Sequence, residues 1–454
     1  MAELSTSSKR NGQGPQSQED ATPADGPREE VGHTLEDAQE ELKGDLIYDI
    51  EETPPWHVTI ILGFQHYLTM FGSTLGIPLL LAMDLCMSDN LVDIGKLIQT
   101  EFFVSGLATL LQTTFGSRLP IVQGASISFL GPAQAILRAQ SACPERLSAN
   151  ATEEDFEMRA EFWRSRMRLL QGAILIASLV EVFQLCPQVI IGFTGLIGFL
   201  LRFIGPLTIA PTLCLIGLSL FQTAAFFAGG NWLLAMVVIV SMTVFSQYLN
   251  RISVPLPGLS TEHKLVVVRF PVFKLLPVIL SILLAWILAA ILTASDSLLE
   301  GSPGRTDSRI SVLTESPWFY IPYPFQWGTP VVTIAGVLGM IAGVLASTVE
   351  SIGDYFACAR VAGAPPPPDH AVNRGIGMEG IGCILAGFWG TGLGTTSYSQ
   401  NIGAINITKV GSRRVIQFGA LFMLFLGAFG KFGAFFATIP VPIIGGMFCI
   451  LFGK

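Results

Sequence analysis

The chain has 454 residues, 50% of them hydrophobic and 13% charged, with a mean hydropathy of +0.56. That is too apolar for a soluble globular domain and offers no basic surface for nucleic acid. The formal net charge of −8 belongs to the N-terminus, because residues 1–55 hold 14 acidic and 4 basic side chains and leave the remainder close to neutral.

Residues 1–55 are rich in Ser, Gly, Pro, Gln and Glu and nearly free of aromatics, so they read as a disordered acidic cytoplasmic tail. They lack the basic start, apolar core and small-residue cleavage site of a signal peptide. Beyond them, apolar runs long enough to cross roughly 30 Å of hydrocarbon recur along the chain. The fold class is therefore an all-α polytopic membrane protein.

The first span is Trp56 to Ala82, with the amide-imidazole pair Gln65 and His66 inside it, and the second is Leu91 to Gly116. Leu119 to Leu137 is too short and too interrupted by Gly and Ser for an ordinary crossing, and reads as an extended piece feeding a half-helix. A polar loop, Arg138 to Arg166, carries the glycosylation acceptor Asn150 and should face outside. Further spans are Met167 to Cys186, a Pro-broken stretch from Val189 to Gly229, Trp232 to Leu249 and Phe273 to Leu292. Arg251, Lys264 and Arg269 place the loop between the last two in the cytoplasm.

After an outside loop, residues 293–329, the pattern restarts. Pro330 to Ala357 is a span carrying Glu350 and Asp354; Arg360 to Arg374 is a cytoplasmic linker with the run Pro365 to Pro368; Gly375 to Trp389 is a span; Gly390 to Ile407 is a second interrupted element; and Arg413 to Ala437 crosses again. Two interrupted elements thus stand third in each half, and seven spans before the restart invert the second half. That pattern predicts a 7+7 inverted repeat. Its first copy is residues 56–292 and its second is residues 330–454, stopping inside the fifth span. Of seven cysteines, none in CxxC spacing, Cys86 and Cys143 fall in outside loops where a disulfide can form.

Gly390 to Lys409 reads GTGLGTTSYSQNIGAINITK. Such a polar interruption at membrane depth survives only where it is buried in protein or lines a watery cavity. It should therefore line a binding site. Glu350 and Asp354, four apart, lie on one helix face, and each carboxylate at the bilayer centre costs at least about 2.5–3.5 kcal/mol. Two such groups imply a bound cation or proton, and sodium beside Asp354, near Ser128 and Gln65, would serve. Gln400 and Asn401 stand where the second half-helix begins, and one of them is expected to cap it. A Gln amide also presents a donor and an acceptor in one plane, suited to the edge of a heterocycle. Ser126 and Ser399 offer polar contacts, Ile127 and Phe129 apolar faces, and His66 either a ligand contact or a structural bond. No P-loop, GxSxG or HExxH is present, so neither ATP-driven nor covalent chemistry is supported, and an enzyme is not expected.

These residues resemble the nucleobase–ascorbate transporters, also called the nucleobase–cation symporter-2 family. Gln400, Asn401, Gly403, Thr408 and Lys409 match every fixed position of its signature, [QEP]-N-x-G-x-x-x-x-T-[RKG], and Gln65-His66 match its second hallmark. The run ESIGDYFACARVAGAPPPP is similar to the vertebrate sodium-dependent branch. The resemblance implies a core domain holding substrate between the two interrupted elements, a gate domain, and a homodimer in the plasma membrane with a cytoplasmic N-terminus. It implies Glu350 and Gln400 as substrate contacts, Asp354 in a sodium site and no cofactor besides the coupling ion. Ascorbate carriers of that branch are expected to have Pro where Gln400 stands, which leans the expectation to nucleobases such as uracil, thymine, hypoxanthine, guanine and xanthine. Ascorbate transport and a short, non-transporting form remain the alternatives.

Overall fold

Apolar segments of membrane length must satisfy their own backbone, and most of this chain does so as helix. A computed structural model describes residues 46–87, 90–144, 152–182, 218, 221, 224–259 and 265–451. Asn150, most of the acidic tail and most of the Val189 to Gly229 stretch lie outside the described residues.

Helix α1 is Trp56–Asp84 and α2 is Leu91–Thr114, the latter capped by Asn90, whose side chain accepts from Asp93 N. A three-residue strand β1, Gln123–Ala125, passes through a turn at Ile127–Phe129 into the short helix α3, Leu130–Arg138. Helix α4 spans Glu153–Ala177 and α5 Trp232–Thr243. Strands β2, Val254–Leu259, and β3, Leu265–Phe270, form a hairpin before α6, Pro277–Ala294. Then come α7, Ile334–Val361, α8, Asp369–Trp389, strand β4, Thr395–Ser397, and the short α9, Ser399–Thr408. Helices α10, Arg413–Ala428, α11, Gly430–Ala437, and α12, Val441–Leu451, complete the described chain.

Among the described residues α1, α2, α6 and α7 are long and apolar enough to cross a membrane, and α11 with α12 makes a fifth candidate bent by 84°. Four sequence expectations are corrected. The loop that carries Arg251 and Arg269 contains a β-hairpin, so the chain is not purely helical. Its Val-rich second strand favours extension, while Pro255 and Pro257 lack the N–H for a further ladder, which suits an isolated pair. The polar loop after α3 turns helical at Glu153, fourteen residues before the expected Met167. Thr152 and Asp155 form a reciprocal cap there, and the backbone and side-chain hydrogen bonds from Thr152 hold the exposed Asp155 carboxyl below its ordinary range. Similarly, α8 begins at Asp369, directly after the Pro run.

The fourth correction concerns Arg413 to Ala437, which is broken at Phe429. The segment before α7 enters the break: Tyr320 N donates to Ala428 O, Gly430 N donates to Trp318 O, and Phe319 bridges Phe429. Gln99 of α2 donates its amide to the freed carbonyls of Phe429 and Gly430. The end of the acidic tail is also tied down, since Ile47 N donates to Lys409 O and Arg413 N to Ile50 O. Just beyond the C-terminal ends of α1 and α3, Cys86 and Cys143 are joined in a disulfide with Cα atoms 5.7 Å apart.

Small residues let α2 lie against α10 and α11 at backbone distance. A Cβ on Gly433 would stand 2.3 Å from Gly95 O, and one on Gly427 would stand 2.6 Å from Phe103 N. Backbone cannot yield as a flexible side chain can. Gly433→Leu is accordingly expected to lower stability by about 1–3 kcal/mol, read as a drop in the melting temperature of the purified protein.

Candidate membrane-embedded polar site

Strands β1 and β4 come from the two interrupted elements and pair antiparallel in the register Gln123↔Ser397, Gly124↔Thr396 and Ala125↔Thr395. Ser126 N donates to Gly394 O at 3.1 Å and Tyr398 N to Val122 O at 3.0 Å, extending the pairing at both ends. Because the strands run in opposite directions, α3 and α9 leave the pair in opposite directions. Gly390 sets up this arrangement: it ends α8 at φ +77°, and a Cβ there would meet Trp327 at 2.3 Å.

Helix α7 lies across the pair. Phe129 fits between Gly343 and Gly394, whose Cβ atoms would stand 3.1 and 2.5 Å from its ring. Ser128 donates its hydroxyl to Glu350 Oε2 at 3.0 Å, and Ser126 Oγ accepts from Ser128 N at 3.1 Å. Ser351 reaches Thr396 of β4 at 2.8 Å. Glu350 is half-buried, as is Ile127, whereas Asp354 is buried, with Oδ2 lacking any hydrogen-bond partner. Ser128 serves Glu350, and among the described residues neither it nor Gln65 bonds Asp354.

At the other end of the pair, Ser399 and Gln400 are exposed and Asn401 is fully buried. The expected cap is absent, because α9 starts from Tyr398 with no side-chain capping bond. Asn401 instead turns inward and donates to His66 O at 2.9 Å, with His66 Nδ1 at 3.2 Å. His66 thereby meets the second interrupted element, while both amide atoms of its neighbour Gln65 are buried without partners.

A layer of polar side chains behind the strands escaped the sequence reading. Glu379 of α8 accepts from Ser351 at 2.7 Å and from Tyr355 at 2.9 Å, and Gln112 donates to the Tyr355 hydroxyl at 2.6 Å. With its amide nitrogen facing Glu379, Gln123 donates to Oε1 at 3.0 Å and to Thr396 O at 3.2 Å while accepting from Ser397. Glu181 accepts from Ser347 and Thr348, each at 3.1 Å. The signal was present in the sequence, since Glu101, Glu181 and Glu379 are single acids inside apolar stretches. Glu350, Asp354 and Glu379 share one electrostatic neighbourhood. The assembly can hold a small polar molecule by hydroxyl, carboxylate and amide contacts at half-helix starts, without a nucleophile–base pair for covalent chemistry.

A model of a permease family matches residues 57–454. Mouse solute carrier family 23 member 2 is 50% identical over 419 residues, covering 90% of this chain and 63% of the relative. Nucleobase-ascorbate transporter 1 of Arabidopsis thaliana is 38% identical over 415 residues, covering 90% of this chain and 73% of the relative. The chain belongs to the nucleobase–ascorbate transporter family. It is a multi-pass membrane protein, and the relatives it matches are named as carriers and transporters rather than enzymes. It spans a little under two thirds of the mouse relative's length. Murine solute carrier 26 family member A9, an anion transporter in its inward-facing state, shares the fold at a TM-score of 0.50 and 11% identity, covering 95% of this chain and 65% of that one.

The family signature now has a physical reading. Asn401 ties α9 to α1, Gly403 faces open space with nothing within 4 Å of its Cβ position, Thr408 returns its hydroxyl to Ala404 O at 3.0 Å, and Lys409 ends α9 at φ +58°. Asn401→Ala removes the buried amide's bonds to the His66 carbonyl and ring, leaves the carbonyl with its helical partner alone, and is expected to cost about 1–3 kcal/mol, measured by chemical denaturation in detergent.

Proposed function

We propose that the chain performs sodium-coupled secondary uptake of nucleobases, uracil among them, across the plasma membrane. The antiparallel pairing of β1 with β4 carries this reading, because it brings the starts of two oppositely directed half-helices to one site beside the acidic helix α7. Glu350 accepts from ring N–H groups of a neutral base, and Gln400 bonds a second edge with its coplanar amide. Ser126 and Ser399 add polar contacts, with Ile127 and Phe129 as apolar walls and His66 at the border. Sodium sits beside Asp354, whose unpartnered oxygen suits a cation, with Ser128 and Gln65 nearby.

In this reading the strand pair, α3, α7 and α9 belong to a core that moves against a gate, and the two halves are inverted repeats of seven spans. Exposed Ser399, Gln400 and Gly403 on α9, with Gly353 on α7, form the face the gate would cover. The N-terminus is cytoplasmic, Asn150 is glycosylated outside and the protein works as a homodimer. The name of the Arabidopsis relative favours ascorbate as the second reading.

Radiolabelled uracil uptake with and without sodium tests the proposal, using this chain alone and joined to the C-terminal remainder of the mouse relative. Glu350→Gln is expected to reduce uptake at least tenfold, equivalent to about 1.4 kcal/mol. Wild-type uptake in that variant would remove Glu350 from the substrate site. Competition by ascorbate, kept or improved in Gln400→Pro, would establish the second reading instead.

A further inference from the structure

Residues 47–52 belong to the acidic segment that the sequence reads as disordered, yet they are fixed along the turn between α9 and α10. Ile47 N donates to Lys409 O at 2.8 Å, Gly411 N to Tyr48 O at 2.9 Å and Arg413 N to Ile50 O at 3.1 Å, and Tyr48 pairs with Val410 in a parallel bridge. The Ser412 hydroxyl donates to Glu52 O, and Glu51 meets Arg413 of α10 and, at 3.8 Å, Arg118 ahead of β1. These charge pairs are the lesser part of the hold, because the Glu51 side chain is 72% exposed and ion pairs in water contribute little. The backbone bonds and Ile50 are the greater part.

Ile50 packs against a small apolar cluster apart from the main core. In it Leu119 and Ile121 lead into β1, Tyr355 and Cys358 belong to α7, and Ile402 and Ile405 to α9. One side chain of the tail thus joins a cluster shared by three parts of the site. Helix α9 needs such support, because it has ten residues and no side-chain cap at its start, and helices this short are marginal on their own. Asn401 holds its first turn through His66. At its other end the chain turns at Lys409 with φ +58°, and the carbonyl there accepts from Ile47.

We propose that residues 47–52 are a positioning strap, with Ile50 its anchor, which fixes the end of α9 and the approach to β1 and so the spacing of the two half-helix starts. The inference rests on the reading of β1, β4 and α9 as the substrate site.

Hydrogen exchange of the full chain purified in detergent tests the strap with no substrate present. Ile50→Ser is expected to speed exchange in β4 and α9, residues 395–408, by roughly tenfold while α6 exchanges as in the wild type, and Ile50→Val should restore protection. Glu51→Gln should change exchange by less than about twofold. Removing residues 1–45 should leave the pattern as it is, and removing residues 1–52 should give that of Ile50→Ser. If Ile50→Ser does not fold, Ser412→Ala, which removes one bond to the strap, should show the same pattern more weakly. In uptake, Ile50→Ser should raise the KM for uracil several-fold with the maximal rate little changed. Faster exchange confined to residues 46–52 and 410–413, equal loosening on removal of residues 1–45, or an unchanged KM in a chain that takes up uracil overturns the proposal. Absence of uracil uptake in the wild type would count against the nucleobase reading alone and leave the exchange result to decide the strap.

Discussion

Backbone amides at membrane depth cannot be left unpaired, and the β1–β4 pair is the answer to that constraint on which the rest of the site depends. Each interrupted element opens its helix for three residues and would expose bare N–H and C=O groups if it stood alone. Together they close one another's ladder, and the bonds of Ser126 to Gly394 and Tyr398 to Val122 finish it. The result is a polar spot inside hydrocarbon whose position is fixed by backbone rather than by long side chains. Small residues are required around it: Phe129 reaches the strand only because Gly343 and Gly394 leave room for its ring.

Behind the strands, the burial of acids is managed by hydroxyls rather than by cations. Ser347, Thr348, Ser351 and Tyr355 recur along one side of α7 and supply donors to Glu181 and Glu379. Neutral donors carry no desolvation cost comparable to that of a buried Arg or Lys, and each satisfies an oxygen that would otherwise be orphaned. This layer ties the turn Leu179–Val182 that follows α4, with α7 and α8, to the strand pair. Asp354 stands apart, because it shares the electrostatic neighbourhood of Glu350 and Glu379 yet keeps an oxygen unpaired.

The interrupted elements were legible in the sequence because Gly, Ser and Thr clusters are conspicuous inside apolar runs, and Glu350 with Asp354 were legible because charges there are rare. What the sequence hid was long-range. Nothing local shows that Ser351 bonds Glu379 across two helices, or that Trp318 to Tyr320 enter the break at Phe429. Boundaries failed for a different reason: the cap at Thr152 and the start of α8 after Pro368 depend on hydrogen bonds and φ restrictions that hydropathy does not register. The β2–β3 hairpin was passed over because Arg251, Lys264 and Arg269 marked the segment as a loop between spans, and its Val-rich strand was not weighed.

The adjacent pair Gln400 and Asn401 shows how one motif carries two demands. Consecutive residues on a helix point about 100° apart, so when one faces the packed core its neighbour is free to face outward. Asn401, fully buried, holds α9 to the His66 backbone, while α1 packs at backbone distance against α10, where a Cβ on Gly63 or Gly419 would stand 2.9–3.0 Å from backbone. Gln400 spends no bond on the protein's own cap and remains exposed at the start of α9. Exchanging the two roles would bury a longer amide where only the shorter one fits and withdraw the outward group. The Asn position is therefore constrained by packing, while the exposed Gln position is not. That separation is what the signature permits when it fixes Asn and allows Gln, Glu or Pro before it.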